Sequence, residues 1–229
     1  MGARHQDGKG DTKSIFHRNK KYRGNGYDTI SGNGGKSSIY ARDDLIMAEL
    51  KRRRTRPAAN KVLPTVLAAS KEHAERYHFA FLNNYKKGRA PYSNEAHHLI
   101  PVKTFNRKPF TAKQRKVLHR VPSYDINNGN NIIFLPELAA DANFHNLPMH
   151  RGDHPKYTAL VREDAEDIST KLQKVIDKDP KHKNWDPPGD IKTKLTTLQN
   201  KYWNYLKNAG MISVNKFQRP AIKKVLGKA

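Results

Sequence analysis

The chain contains no cysteine, so no disulfide can staple it, and any metal it holds must be bound by nitrogen and oxygen ligands. Its fold therefore rests on whatever core its own apolar residues can build. With 36% hydrophobic residues over 229 positions, there is material for such a core in part of the chain but not throughout it. Ordered and loose regions are expected side by side, in one or two small domains.

Charge narrows the partner. Lys and Arg number 44 against 21 Asp and Glu, a formal net charge of +23, which exceeds what solubility asks for and makes a polyanion the natural binding partner. Nucleic acid comes first, although an anionic membrane surface or an acidic protein would also answer the charge. No apolar run approaches the roughly 18 residues of a membrane span, so no membrane insertion is expected. The basic, polar start Met1-Gly2-Ala3-Arg4-His5-Gln6 is no secretory signal; export, if it occurs, is expected by a route without a cleaved signal.

Along the chain, residues 1–38 are rich in Gly, Lys, Asn and Ser. Such a composition does not repay the entropy of ordering unless something docks it, and the segment reads as a flexible basic arm. Within it Gly35-Lys36-Ser37 is the end of a phosphate-binding loop at most: Ile30 stands where the first glycine belongs and no strand precedes it, so a linker is the better reading. Helical periodicity follows at about Ala41 to Arg54 and Pro64 to Lys86, giving a helical region over 39–87. The run Lys51-Arg52-Arg53-Arg54 reads as a solvated face, with phosphate contact as a second reading.

Farther on, Asn130 to Leu135 reads as a short buried strand stopped by Pro136, with turn chemistry from Asp125 to Asn130 leading in. Pro155 suits the first position of a helix, with His154 as its cap. In that helix Tyr157, Leu160, Val161, Ile168, Leu172 and Val175 recur at helical spacing up to Pro180. A last helix, about Asp190 to Ala209, is ended by Gly210.

Three pieces carry chemistry: Glu95-Ala96-His97-His98-Leu99-Ile100-Pro101, Asn131-Ile132-Ile133-Phe134-Leu135-Pro136, and His150-Arg151-Gly152-Asp153-His154-Pro155. Each alone is ordinary, since histidine pairs pack, asparagines close turns and histidines near helix starts fill space. Their combination is not ordinary. Phosphodiester hydrolysis needs a base to deprotonate water and a cation to stabilise the charge that develops, and this set offers both. Adjacent strand residues point to opposite sides, so if His97 faces a metal, His98 must leave from a bulge or strand end to share the cleft. The spacing of His150 and His154 lets two imidazoles converge on one ion, either on a helix or on a loop entering one. Gly152 and Pro155 favour the loop.

The order of these pieces resembles the HNH (ββα-metal) nucleases, and most closely their AHH branch from bacterial polymorphic toxins. Ala96-His97-His98 and His150 to Tyr157 carry the match. The chain is also similar to the colicin DNases, in which a Glu two residues ahead of the pair holds the place of Glu95. The resemblance covers about Glu95 to Leu172. It implies that His97, His150 and His154 hold one divalent metal, that His98 is the general base and that Asn131 orients it. A three-imidazole set suits zinc or nickel even where magnesium or manganese supports turnover. Tyr157 fits the AHH pattern, and core packing explains it equally well. Arg151 is the candidate phosphate grip. His119 and His145 have no place in the motif.

The expected architecture is α+β: a ββα-metal core over 88–178, a C-terminal helical extension over 179–229, helices on both sides and the basic arm in front. The interval between His98 and Asn131 is expected to be an excursion from the core. The implied activity is an endonuclease cutting DNA with little sequence preference. Its setting would be an antibacterial toxin, secreted without a cleaved signal, acting in the target-cell cytoplasm and countered by an acidic immunity protein. An HNH enzyme of phage, restriction or repair systems, resident in the cytoplasm, has the same chemistry. A non-catalytic nucleic-acid-binding protein with structural zinc leaves His98 and Asn131 without a role.

Overall fold

A computed structural model describes Ile15 and residues 22–32, 94–137, 139, 142 and 146–216. The helices expected at 41–54 and 64–86, the basic run at 51–54 and His145 lie outside the described residues.

The centre is a two-stranded antiparallel sheet of β1 (Asn94–His98) and β2 (Ile132–Pro136), with His97 opposite Ile133 and His98 opposite Ile132. All five residues of β2 are buried, as a continuous apolar run without polar alternation requires. Each fully buried Ile or Phe here contributes roughly 1.5–3 kcal/mol relative to an exposed one. The pleat sorts the side chains. Asn94, Ala96 and His98 share one face with Ile132 and Phe134; Glu95 and His97 share the other with Ile133 and Leu135.

The first face is covered by α1 (Tyr22–Ser31), a correction to the flexible arm expected over this stretch. Something does dock it: Tyr27 stacks on Phe134 with ring centroids 4.3 Å apart, and Ile30 is buried. Arg23 donates to the side-chain oxygen of Asn94 at 2.8 Å. Two glycines let the backbones meet. A Cβ on Gly26 would lie 2.8 Å from Ile132 Cγ2 and 2.9 Å from Phe134 Cζ, and one on Gly129 would lie 2.2 Å from the Asn25 carbonyl oxygen. Gly26, one of the glycines that make the segment look loose in sequence, is part of what allows it to pack.

Between the strands the chain makes the expected excursion. A 3-10 turn spans Val102–Asn106. Next comes α2 (Ala112–His119), started by a capping box in which Gln114 N donates to the Thr111 hydroxyl and Thr111 N to the Gln114 side chain.

On the second face Tyr157 of α3 (Pro155–Asp164) meets His97, and α4 (Glu166–Lys178) and α5 (Ile191–Asn208) follow in the chain. The single helix expected from Pro155 to the stop before Pro180 is in fact two, broken at Ala165 (φ −92°, ψ 6°). No glycine or proline marks the break, which is why periodicity runs through it. The two helices pack differently: α3 lies against the 3-10 turn at 102–106 and α4 against α2. The last helix behaves as expected, with Gly210 at φ +67° just beyond it. It is tied in by the Tyr202 hydroxyl, which donates to the Asp164 carboxylate at 2.7 Å. The described chain is thus α+β, and no described helix is long and apolar enough to cross a membrane.

Candidate metal centre

Three histidines from separate parts of the fold meet on the second face. His97 projects there from β1, two residues along from Glu95. His150 follows β2 in space, its backbone N–H donating to the Pro136 carbonyl at 2.8 Å. His154 holds the N-cap position of α3 without making a side-chain cap bond. Its ring turns inward instead, so the expected capping role is positional only. Gly152 at φ +63° bends the loop so that both histidines face His97, and a conformation that L side chains rarely adopt is required at that one position. The loop-into-helix version of the spacing is the one found.

The ring centroids are 4.9 Å apart for His97 and His150, 4.5 Å for His97 and His154, and 4.8 Å for His150 and His154. One nitrogen from each lies within 4.8 Å of the others. Metal–imidazole bonds of about 2.0–2.1 Å require only a small further approach for the three to share an ion. Neither ring nitrogen of His97 or His150 has a hydrogen-bond partner, although both rings are buried. His150 Nδ1 lies 2.5 Å from a Glu95 carboxylate oxygen, close enough for an ion pair but out of line for a hydrogen bond. Leaving such groups unsatisfied costs about 1–3 kcal/mol each, and a cation held by their lone pairs would offset it.

Burial keeps the rings in the coordinating form. It pushes His150 and His154 down to about 4, and the proximity of His150 adds to the effect at His154. His97 is held well below the ordinary range, again chiefly by burial and then by His154. All three are neutral at pH 7, as a divalent ion requires. His154 Nδ1 is 3.1 Å from the Gly152 carbonyl; a carbonyl only accepts, so Nδ1 carries the proton and Nε2 is the nitrogen offered to the site.

The rest of the expected constellation is arranged differently. His98 ends β1 on the opposite face, with no bulge in the strand pairing. Its Nε2 is 2.9 Å from Asn127 Oδ1, and its ring lies 5.3 Å from that of Tyr22. Asn131 does not orient it. The Asn131 amide is fully buried, accepting from Ile100 N at 2.9 Å and donating to the carbonyls of Ile126 at 2.7 Å and Ile100 at 3.1 Å. Asn131 thus sews the segment after His98 to the entrance of β2, and the side chain that reaches His98 is Asn127. In sequence Asn127 reads as turn chemistry without a role, because Asp125, Asn128, Gly129 and Asn130 beside it have the same turn-forming character. Tyr22 was hidden in the glycine-rich arm.

Tyr157 is fully buried, with its ring edge 4.7 Å from His97 and its hydroxyl on the Leu99 carbonyl. It is both packing and scaffold. Arg151 is exposed beside the centre, its guanidinium donating to the Glu137 carbonyl at 2.9 Å. His119 lies on α2 and takes no part in the cluster.

A trio of neutral imidazoles, two buried and one half-buried, gathered by a two-stranded sheet and a helix start in an α+β chain without cysteine, defines a protein able to bind a divalent transition metal. The matching family says what kind: the AHH family, a nuclease family of the HNH/ENDO VII superfamily with conserved AHH, matches residues 79–201, more than half of the sequence. The chain belongs to this family and is an HNH-type endonuclease. Neither a curated protein nor a solved structure is similar enough to the chain to match it.

Proposed function

We propose that the chain hydrolyses DNA phosphodiester bonds with little sequence preference, through one divalent metal ion held by His97, His150 and His154. The observation that carries this reading is one nitrogen from each of three neutral imidazoles within 4.8 Å of one another, those of His97 and His150 buried without a hydrogen-bond partner. When bound, the ion supplies Lewis-acid stabilisation of charge on the phosphate. His98, as the last residue of β1, serves the cleft from the strand end and takes the proton of the attacking water, and Arg151 grips the phosphate from the exposed rim. β1, β2 and α3 form the ββα-metal core, and 88–178 is the nuclease region to which the C-terminal helical part over 179–229 is attached.

A nucleic-acid substrate cut with little sequence preference is favoured by the +23 charge, which neutralises phosphates irrespective of base sequence, and DNA by the resemblance to the colicin DNases. The biological setting we propose is that of an antibacterial toxin, acting in the target-cell cytoplasm and held in check by an acidic immunity protein that covers the basic surface. Incubation of supercoiled plasmid with purified protein tests the activity. Nicking with zinc, nickel, magnesium or manganese that EDTA abolishes is expected; metal-independent cutting, or none with any of the four, overturns it.

A further inference from the structure

The ring of His98 is held from two sides by residues that no part of the site described above requires. Asn127 Oδ1 faces Nε2 at 2.9 Å, and Tyr22 of α1 lies over the ring, with centroids 5.3 Å apart and planes 31° apart. Asn127 is itself fixed. It is 7% exposed, its backbone N–H donates to Asp125 Oδ1 at 2.8 Å, and its carbonyl accepts from Asn25 Nδ2 of α1 at 3.1 Å. An amide oxygen can only accept, so the neutral imidazole it contacts must carry its proton on Nε2. The basic lone pair then sits on Nδ1.

We propose that Asn127 is a positioning residue for His98, fixing the tautomer in which Nδ1 is the basic nitrogen, with Tyr22 restraining rotation of the ring. The proposal rests on the reading of His98 as the base. A base presented as the wrong tautomer cannot take the water's proton in place, and correction of tautomer populations in a triad-type enzyme is known to be worth orders of magnitude in turnover. Because α1 precedes residues 79–201, this chain would recruit a segment outside its family-defining region to hold its base.

The test is the nitrogen-15 NMR signature of the His98 ring in the full, metal-free chain at about pH 8.5, above the ordinary imidazole range. A protonated Nε2 and an unprotonated Nδ1 are expected. Asn127→Ala should mix the tautomers and lower kcat by on the order of tenfold or more, within the usual range of general-base contributions, while KM for DNA and zinc affinity hold. Asn127→Asp restores an acceptor, and should recover the parent signature and a kcat above that of the Ala variant. A proton found on Nδ1 in the parent overturns the proposal, as does an Ala variant that keeps both signature and kcat. If Asn127→Ala fails to fold, the parent spectrum and the Asp variant decide. Failure of the base reading is separately visible: His98→Ala would then cut at near the parent rate, whatever the tautomer proves to be.

Discussion

The Tyr157 hydroxyl donates a 2.7 Å hydrogen bond to the carbonyl of Leu99, which ties the first turn of α3 to the end of β1. One buried bond thereby fixes the distance between the strand that carries His97 and the helix start that carries His154. The ring of the same tyrosine lies against both imidazoles, 4.7 Å from His97 and 5.7 Å from His154.

Tyr157→Phe keeps that ring contact and strands the Leu99 carbonyl. A buried acceptor without a partner costs about 1–3 kcal/mol, so urea unfolding should show a loss of that size. Zinc affinity, measured by calorimetry, should weaken as β1 and α3 lose their tie. An unfolding midpoint equal to the parent's would mean the hydroxyl has no structural role.

The two neighbours of the His-His pair should separate by phenotype. Replacing His97, His150 or His154 with Ala removes a ligand and should lower bound metal in elemental analysis. His98→Ala should retain metal and DNA yet lose cleavage by on the order of a hundredfold or more. Loss of metal in His98→Ala with retention in His97→Ala would reverse the assignment within the pair.

Acid should destabilise the metal-free protein before its carboxylates titrate. His150 and His154 are held at about 4 in the fold against an ordinary 6.5. Between those values the unfolded chain takes up protons that the folded chain refuses, so stability, complete above about pH 6.5, falls as pH drops toward about 4. Melting curves in EDTA should show Tm declining from about pH 6.5 downward, with a shallower decline in a His150→Gln/His154→Gln double variant. A flat Tm through this window is incompatible with His150 and His154 held neutral in the fold.

Gly26→Ala sets two effects against each other. Alanine favours a helix by about 0.8–1.0 kcal/mol over glycine, but its methyl would enter the core 2.8 Å from Ile132 and 2.9 Å from Phe134. Overpacking of this kind costs about 1–3 kcal/mol, and both neighbours are buried and held by the sheet. Net destabilisation in urea is expected. A gain in stability would show that α1 does not sit this close to β2.

The parts of the fold that could be read in advance are those whose signals lie within a few residues. Strand β2 announced itself as an unbroken apolar run ended by Pro136, and α5 by its period and by Gly210. The meeting of His97, His150 and His154 could be expected because the resemblance carried by Ala96-His97-His98 and by His150 to Tyr157 singles out these three rings. What the chain's order of residues could not determine was the use of chemically equivalent groups brought together from afar. Asn127 and Asn131 are both asparagines of one polar turn; the pairing of β1 with β2 turns Asn131 onto the backbone of Ile100 and Asn127 onto His98. Likewise Gly26 of α1 is helix-weakening by propensity, and only the apolar face of Ile132 and Phe134 makes its missing side chain a fit. Local propensity is a matter of tenths to about one kcal/mol per residue, so tertiary burial, worth more, decided both.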